Sequence, residues 1–307
     1  MNVPSALVCT RDRPESLLQA VRSLLRREDE PFELLIIDQS DGDATERALA
    51  PLRSDSRLRY VRSRAAGKGA GINEGLRLAH GEVVVCTDDD CEAPPNWVTD
   101  MARVMIAHPR AAVVFCNVAA APHDRAAGYV PAYNRTTDRV LTSVADAKRG
   151  LGLGAGIALR RSAVLAFGGY DEMFGPGSMF RSGDDWDISL RALLNGWQVY
   201  DTAGVSILHH GYRTFTEGKT HALRDWIAIG ALCAKPIAAG RLSVLPLAIW
   251  LFVVEALWPP ISDILRLRRP SGLSRIRGFV RGFADGLRTP VDRNTLTFRR
   301  AQALVLP

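Results

Sequence analysis

No two cysteines in this 307-residue chain are spaced CxxC, and the five present (Cys9, Cys86, Cys91, Cys116 and Cys233) are odd in number. That count suits neither a disulfide framework nor a zinc knuckle. It suits buried, reduced thiols in a reducing compartment. The glycine-rich stretches "GKGAG" and "GLGAG" do not spell GxGxxG, and no GxxxxGK[ST] occurs, so neither a dinucleotide fingerprint nor a P-loop is present. GxSxG and HExxH are also missing. The opening "MNVPSALVCTRDRP" has no basic region followed by an apolar one, so no secretory signal is read and the N-terminal body is expected in the cytoplasm. There are no internal repeats and no low-complexity tract. The longest apolar run, 242–258, covers 17 residues and contains Pro246 and Glu255. A clean membrane span needs about 20.

With 47% apolar residues, the chain can bury a substantial core. Its length suits one large domain, or one catalytic domain with an appendage. The net charge of +6 is unevenly spread: residues 241–300 hold 11 arginines against 4 acidic residues, about +7, and the rest is close to neutral. So basic a C-terminal fifth points to a polyanionic surface. No nucleic-acid-binding motif is present, so no nucleic acid is expected and an anionic membrane surface is the expected partner.

The first 120 residues alternate two periods. Short apolar runs at "SALVCT", "FELLIID", "RLRYV", "EVVVCT" and "AAVVFCN" read as strands. Apolar residues at helical spacing predict helices over 14–27, 44–52, 69–79 and 95–107. Such alternation implies an α/β fold with a mostly parallel sheet covered on both faces. Ligands bind beyond the carboxyl ends of strands in such sheets, where residues 9–10, Asp38 and 88–90 all fall. Residues 119–150 are irregular and long enough to be a lid or binding loop. A strand, a short helix, a glycine-rich loop (175–183), a helix (185–195) and two strands ("WQVYD", "GVSILHH") follow. Beyond Gly211, 222–239 and 242–258 read as apolar helical segments, before the basic "RLRRPSGLSRIRGFVRGFADGLR".

Three stretches carry chemistry. The first is "VVVCTDDDCEAP", where Asp88, Asp89 and Asp90 follow a buried strand. Capping of the next helix accounts for Asp90, but not for three adjacent like charges. A hard divalent cation does, because carboxylate oxygens suit Mn²⁺ or Mg²⁺, and such a cation also holds substrate phosphates. The second is "SGDDWDISLRALLNGW", in which Asp184, Asp185 and Asp187 open a helix. Any helix dipole favours an acidic first turn. A partly buried carboxylate crowded by others also makes a general base. The third is "HHG" at a strand end, where a neutral imidazole can complete the shell of a metal such as Mn²⁺.

Together these stretches resemble the inverting family 2 glycosyltransferases, which have the GT-A fold, over roughly residues 3–211. "ALVCTRDRP" is similar to the family's opening strand and TxxR turn, and "LLIIDQSD" to the strand whose Asp reads the nucleotide. "GKGAGINEGLRLAHGEVVVCTDDD" resembles the helix leading into the DxD motif. "GIALRRSAVLAFGGYDEMFGPG" and "GDDWDISLRALLNG" resemble the acceptor-side segment with its ED-type motif, and "VSILHHG" the closing strand with its metal-binding His.

The resemblance implies roles for particular residues. Thr10, Asp38, Lys68, Asp88 and Asp89 would bind the nucleotide-sugar. Asp88 and Asp90 would hold the metal with His209, His210 being the weaker candidate. Asp185 would be the base, and Asp184 and Trp186 would shape the acceptor site. In an extended segment Asp88 and Asp90 share a face that Asp89 does not, so Asp89→Asn is expected to be the mildest of the three substitutions.

Two departures stand out: Asp184 replaces the usual Glu, and Gly71-Ile72-Asn73 replaces Ala-Arg-Asn, with Lys68 as the substitute cation. No QxxRW follows, which argues against a processive synthase.

The expected organisation is a GT-A catalytic domain over 1–215 (nucleotide half 1–118, acceptor half 119–215). A helical appendage over 216–307 would associate with a membrane or oligomerise. The expected partners are a nucleotide-sugar donor, UDP-linked in the family's habit, a glycan or lipid-linked acceptor, and a homo-oligomer as an option. The expected location is peripheral at the inner face of the cell membrane. For 242–258, an interfacial helix, a single span and a buried or dimer-forming helix all stay open. A sugar nucleotidyltransferase is the alternative enzyme, and a degenerate nucleotide-binding scaffold the non-enzymatic one.

Overall fold

The computed structural model describes residues 3–26 and 31–299. It begins with β1 (Ser5–Thr10), α1 (Pro14–Arg26), β2 (Glu33–Asp38), α2 (Ala44–Leu49), β3 (Leu58–Arg62), α3 (Lys68–Leu78) and β4 (Val83–Asp88). The order β3-β2-β1-β4 is parallel throughout. The short β5 (Cys91–Glu92), then α4 (Trp97–Ala107), β6 (Ala111–Ala120), β7 (Gly128–Tyr129), β8 (Arg139–Leu141), β9 (Ile157–Arg160), α5 (Arg161–Ala166), α6 (Asp184–Leu194) and β10 (Gln198–His209) follow. β9 lies antiparallel between β4 and β6, and β10 runs parallel to β6. The α/β sheet expected from the alternation is therefore present, with a mixed second half.

The strand period of two builds two cores. Leu7, Leu35 and Ile37 face one side, where Ile72 and Leu76 of α3 cover them. Val8, Leu34 and Ile36 face the other, under Leu17, Val21 and Leu24 of α1 and Trp97 and Met101 of α4. Strands covered on both faces need near-continuous apolar runs, which is why "ELLIID" shows no polar alternation.

Two expectations change. "WQVYD" and "GVSILHH" are one twelve-residue strand, β10, whose pairing with β6 breaks register between Asp201 and Ser206. α4 starts at Trp97 behind Asn96, not at residue 95, so Asp90 does not cap it. The described residues beyond β10 run on from it to residue 299. After β11 (Arg213–Thr214), the helix α7 (Phe215–Ala238) starts on a capping box between Thr214 and Glu217. Its Ala228, Ala231, Leu232 and Cys233 join the same core as Leu7 and Ile72.

Residues 242–265 form one long apolar helix: α8 (Leu245–Trp250), a wide π-type stretch (Leu251–Leu257) and α9 (Trp258–Leu265). Pro259 cannot donate a hydrogen bond to the carbonyl four residues back. That carbonyl, on Glu255, accepts one from Arg275 at 3.0 Å instead. The final helix, α10 (Leu273–Arg288), packs directly on α7. A Cβ at Gly282 would stand 1.8 Å from the carbonyl oxygen of Ile227, so only glycine permits this approach.

Candidate active site

The parallel register sets Cys9 of β1 beside Asp88 of β4. The carboxyl ends of these strands therefore deliver Thr10 and the triple aspartate to one place. They border a cavity of about 510 Å³, lined among others by Arg13, Gln39, Lys68, Asp88, Asp89, Asp90, His209 and Arg213. Its rim includes Pro176 and Gly177 from the glycine-rich loop, whose Pro176 carbonyl accepts from the Lys68 N–H at 3.0 Å.

Each of the three aspartates meets a different partner. Asp88 pairs with the Lys68 ammonium. Asp89, 5% exposed, accepts from Thr10 Oγ1 at 2.7 Å and from Arg13 Nη1 at 2.6 Å. Asp90 accepts from Arg13 Nη2 at 3.0 Å. The expectation that Asp89 points away from its neighbours fails. The strand ends at Asp88, and Asp89 and Asp90 form a turn, so the alternation of an extended chain no longer applies. All three border the cavity, and Asp89 is the most enclosed. Burial pushes its carboxyl up to about 6, Arg13 and Thr10 working the other way. Burial would raise Asp90 too, but His209 and Arg13 hold it below the usual carboxylate range. Burial works to lower Lys68, yet Asp88 and Asp184 keep it well above the usual range for an ammonium.

Asp90 and His209 suit a divalent cation. Asp90 Oδ1 is buried and makes no hydrogen bond among the described residues. It faces His209 Nε2 at 3.4 Å. His209 Nδ1 donates to the Pro131 carbonyl at 2.9 Å, which leaves Nε2 to serve as the ligand atom. An orphaned carboxylate oxygen beside an oriented imidazole is a donor set for Mn²⁺ or a similar ion. Cys91 lies in the same cluster. Burial raises its thiol far above neutrality, and only a thiolate would bind. His210 is turned away, 3.4 Å from Glu92, and does not line the cavity.

Asp184, Asp185 and Trp186 are not among the residues that line this cavity; Asp185 is tied to it through Gly154, the neighbour of the lining residue Leu153. The neighbouring Gly154 N–H donates to Asp185 Oδ2 at 3.0 Å, and the Trp186 N–H donates to Oδ1 at 2.8 Å. Burial, and then the charge of Asp184, push the Asp185 carboxyl up to about 7. Asp184 is raised as well, by burial first and against the pull of Lys68. Gly175 has φ +87°, and a Cβ there would meet Asp184 Cγ at 2.9 Å, so glycine lets the loop close over the acid helix. Trp186, half-buried, packs against the core.

A model of glycosyl transferase family 2 matches residues 5–164. The chain belongs to this family. Among curated proteins, a glucosyl-dolichyl phosphate glucuronosyltransferase of Haloferax volcanii is 27% identical over 179 residues, covering 54% of this chain and 55% of its own length. An uncharacterised glycosyltransferase of Rickettsia conorii is 28% identical over 86 residues, 28% of this chain and 14% of its own. The chain thus spans about half the length of the first of these relatives and far less of the second.

Among solved structures of this fold, a mannosyltransferase from Pyrobaculum calidifontis, in complex with GDP-Man and Mn²⁺, superposes with a TM-score of 0.60 at 16% identity, over 93% of this chain and 87% of that one. Residues 1–349 of TarS from S. aureus, in complex with UDP-GlcNAc, give a TM-score of 0.59 at 15% identity, over 92% and 80%. The fold of this family 2 member is therefore GT-A.

The site differs from the sequence-based expectation at Asp38. Its side chain is fully enclosed, and its oxygens accept from Ser40 N at 2.9 Å, Ser40 Oγ at 2.5 Å and Tyr60 Oη at 2.6 Å. The next residue, Gln39, reaches the cavity instead. Arg13 carries the largest unforeseen role. The TxxR spacing could have signalled it, since three residues past Thr10 lies in the turn directly before α1. Arg213, Glu217 and His221 also border the cavity. Their signal was position alone, directly after "HHG".

Proposed function

We propose that this family 2 member is an inverting glycosyltransferase. It moves a sugar from a nucleoside-diphosphate sugar, UDP-linked in the first instance, to a hydroxyl of a glycan or lipid-linked acceptor. The observation that carries this reading is Asp185, a carboxylate raised to about 7 and held by the N–H of Gly154, next to Leu153 of the cavity that the triple aspartate and His209 also line. Near neutral pH it accepts the proton of an acceptor hydroxyl, and that oxygen attacks the anomeric carbon from the face opposite the nucleotide. Asp90 and His209, with Asp88 beside them, would hold Mn²⁺ or Mg²⁺, which when bound neutralises the diphosphate leaving group. Thr10, Lys68 and Asp89 are assigned to the donor side, Asp184 and Trp186 to the acceptor side. For Asp38 we propose support of the Gln39 turn in place of direct contact. The Mn²⁺, GDP-Man and UDP-GlcNAc in the complexes of the structural relatives support this chemistry, and the dolichyl phosphate in the name of the H. volcanii relative supports a lipid-linked acceptor.

The test is release of nucleoside diphosphate from a panel of UDP-, dTDP- and GDP-sugars with Mn²⁺, against the same panel in EDTA. Metal-dependent release with at least one donor is expected. Formation of a nucleotide-sugar and pyrophosphate from a nucleoside triphosphate and a sugar phosphate would overturn the reading in favour of a nucleotidyltransferase.

We also propose that the enzyme works at an anionic membrane face. The 24-residue helix Leu242–Leu265 is long and apolar enough to cross a membrane, and little more than a quarter of its apolar 18-residue window is buried. Ile249, Trp258, Ile264 and Leu265 are exposed, and Arg266, Arg268 and Arg269 follow at once. Apolar side chains rimmed by arginine suit anionic lipid. Sedimentation with phosphatidylglycerol vesicles, and not with phosphatidylcholine alone, is expected. Equal recovery in both supernatants would refute this location.

A further inference from the structure

Lys235 of α7 is 1% exposed and lies in the protein interior. Its Nζ donates to Asp171 Oδ2 at 2.6 Å and to Asp187 Oδ1. It also sits 4.8 Å and 5.2 Å from the ring centroids of Phe174 and Phe298. The other oxygen of Asp187 accepts from Arg191 Nε at 2.8 Å, and the Arg191 guanidinium continues to the carbonyls of Phe167 and Gly169. Asp171 Oδ2 also accepts from the N–H of Phe298, and its Oδ1 from that of Met173. Two carboxylates and two cations thus form one balanced, buried cluster. It joins four pieces of chain: α7, the first turn of α6, the 167–174 loop, and the segment holding Phe298.

Asp187 lies two residues beyond Asp185, in the same turn of α6. A carboxylate that must meet a substrate hydroxyl depends on its helix being held to a fraction of an ångström. α7 has no side chain in the triple-aspartate clamp, yet it grips the turn that carries the base. Its own first turns contribute Glu217 and His221 to the cavity border. A hydrophobic residue of similar volume would fill the same space at no cost in charge burial, so an ammonium here calls for a reason beyond packing.

We propose that Lys235 is a positioning residue for the transfer step, fixing through Asp187 the turn of α6 on which Asp185 stands. The inference rests on the base assignment made above. Replacing Lys235 alone leaves an excess buried negative charge and risks unfolding, so the decisive variant is balanced: Lys235→Met combined with Asp171→Asn. It keeps the Asp187–Arg191 pair and removes the tie from α7, along with one of the two backbone N–H bonds that Asp171 accepts from Met173 and Phe298.

The readout is nucleoside diphosphate release from the donor panel with Mn²⁺, analysed as kcat and KM, alongside calorimetric binding of UDP and GDP with Mn²⁺ and a melting curve. The expected result is a fold-change of about tenfold to a hundredfold in kcat, with donor KM and nucleotide affinity within twofold of the parent and a cooperative melt. A folded double variant with parental kcat overturns the proposal. So does one in which kcat and nucleotide stoichiometry fall together, because that marks loss of active molecules. If the parent enzyme itself releases nucleoside diphosphate from no donor, the base assignment fails and takes this inference with it.

Discussion

The two acidic clusters use the same residue type and receive opposite treatment. At residues 88–90, side-chain cations come directly onto the carboxylates: Lys68 onto Asp88, Arg13 onto Asp89 and Asp90. The charge is kept, and Asp90 is held below the usual range. At residues 184–185, only backbone N–H groups bind Asp185, and burial dominates. There the proton is held to about pH 7. Crowding alone does not assign a role to a carboxylate; the nearest partner does. In the proposed function, one cluster presents negative charge to a cation and the other exchanges a proton.

The comparison breaks most visibly if Asp185 loses its titration. Asp185→Asn keeps shape and one hydrogen-bond acceptor but cannot take a proton, so kcat should fall by about 10²–10⁴. UDP and Mn²⁺ binding, measured by calorimetry, should persist. Substantial activity in that variant would dismiss Asp185 as the base. Next in size is Asp90→Asn, which removes the orphaned oxygen facing His209. Mn²⁺ affinity should fall by at least 10–100-fold, the range seen even for the groups that merely support metal ligands. Mn²⁺ titration without any sugar nucleotide checks it, and unchanged affinity would move the metal elsewhere.

A third experiment sharpens the contrast by pH. Asp185 acts when deprotonated and its carboxyl is raised to about 7, so kcat should climb as pH rises through about 7 and level off above. Asp184→Asn removes the neighbouring charge that helps raise it, so the climb should move to lower pH. The stability sign runs the other way. A carboxyl raised above its unfolded value contributes stability below that unfolded value and loses it as pH passes about 7. Asp185→Asn should thus melt higher than the parent at pH 8, with little difference at pH 4. A kcat profile identical in Asp184→Asn and parent would mean the two acids do not interact.

Much of this contrast was legible in the sequence, for physical reasons. Strand-to-ligand placement follows from parallel topology, so Asp88–Asp90, Lys68 and His209 could be gathered from runs such as "EVVVCT" and "GVSILHH" alone. The acid helix showed itself through three aspartates after glycines. What stayed hidden depends on contacts distant in sequence. Asp38 ends a strand as a ligand-reading residue would, but only the fold shows Tyr60 and Ser40 occupying it. Lys235 lies in an apolar stretch that reads as a separate appendage, because nothing local reveals that Asp171 and Asp187 wait for it. Asp89 was misplaced by assuming that extended alternation continues past the last strand residue.

That error leads to the smallest predicted effect. Asp89→Asn was expected to be mild because Asp89 would face away. It faces inward, and the reason for mildness becomes the cost of burying its charge. A carboxyl raised to about 6 is still mostly ionised at pH 7, but burial penalises that charge. An amide carries no charge to bury: its oxygen can accept from Arg13, and its NH₂ can donate to Thr10 Oγ1. Arg13 also retains Asp90 at 3.0 Å. Catalysis should therefore change by no more than a few-fold, against the far larger losses for Asp90 and Asp185. In EDTA, the variant should melt a few degrees above the parent at pH 8, since one raised carboxyl is worth on the order of 1 kcal/mol or more. The difference should vanish toward pH 4, below the shifted value. A variant that melts lower at pH 8 would show instead that the Arg13–Asp89 charge pair outweighs its burial, and the two acidic clusters would then differ less than their surroundings imply.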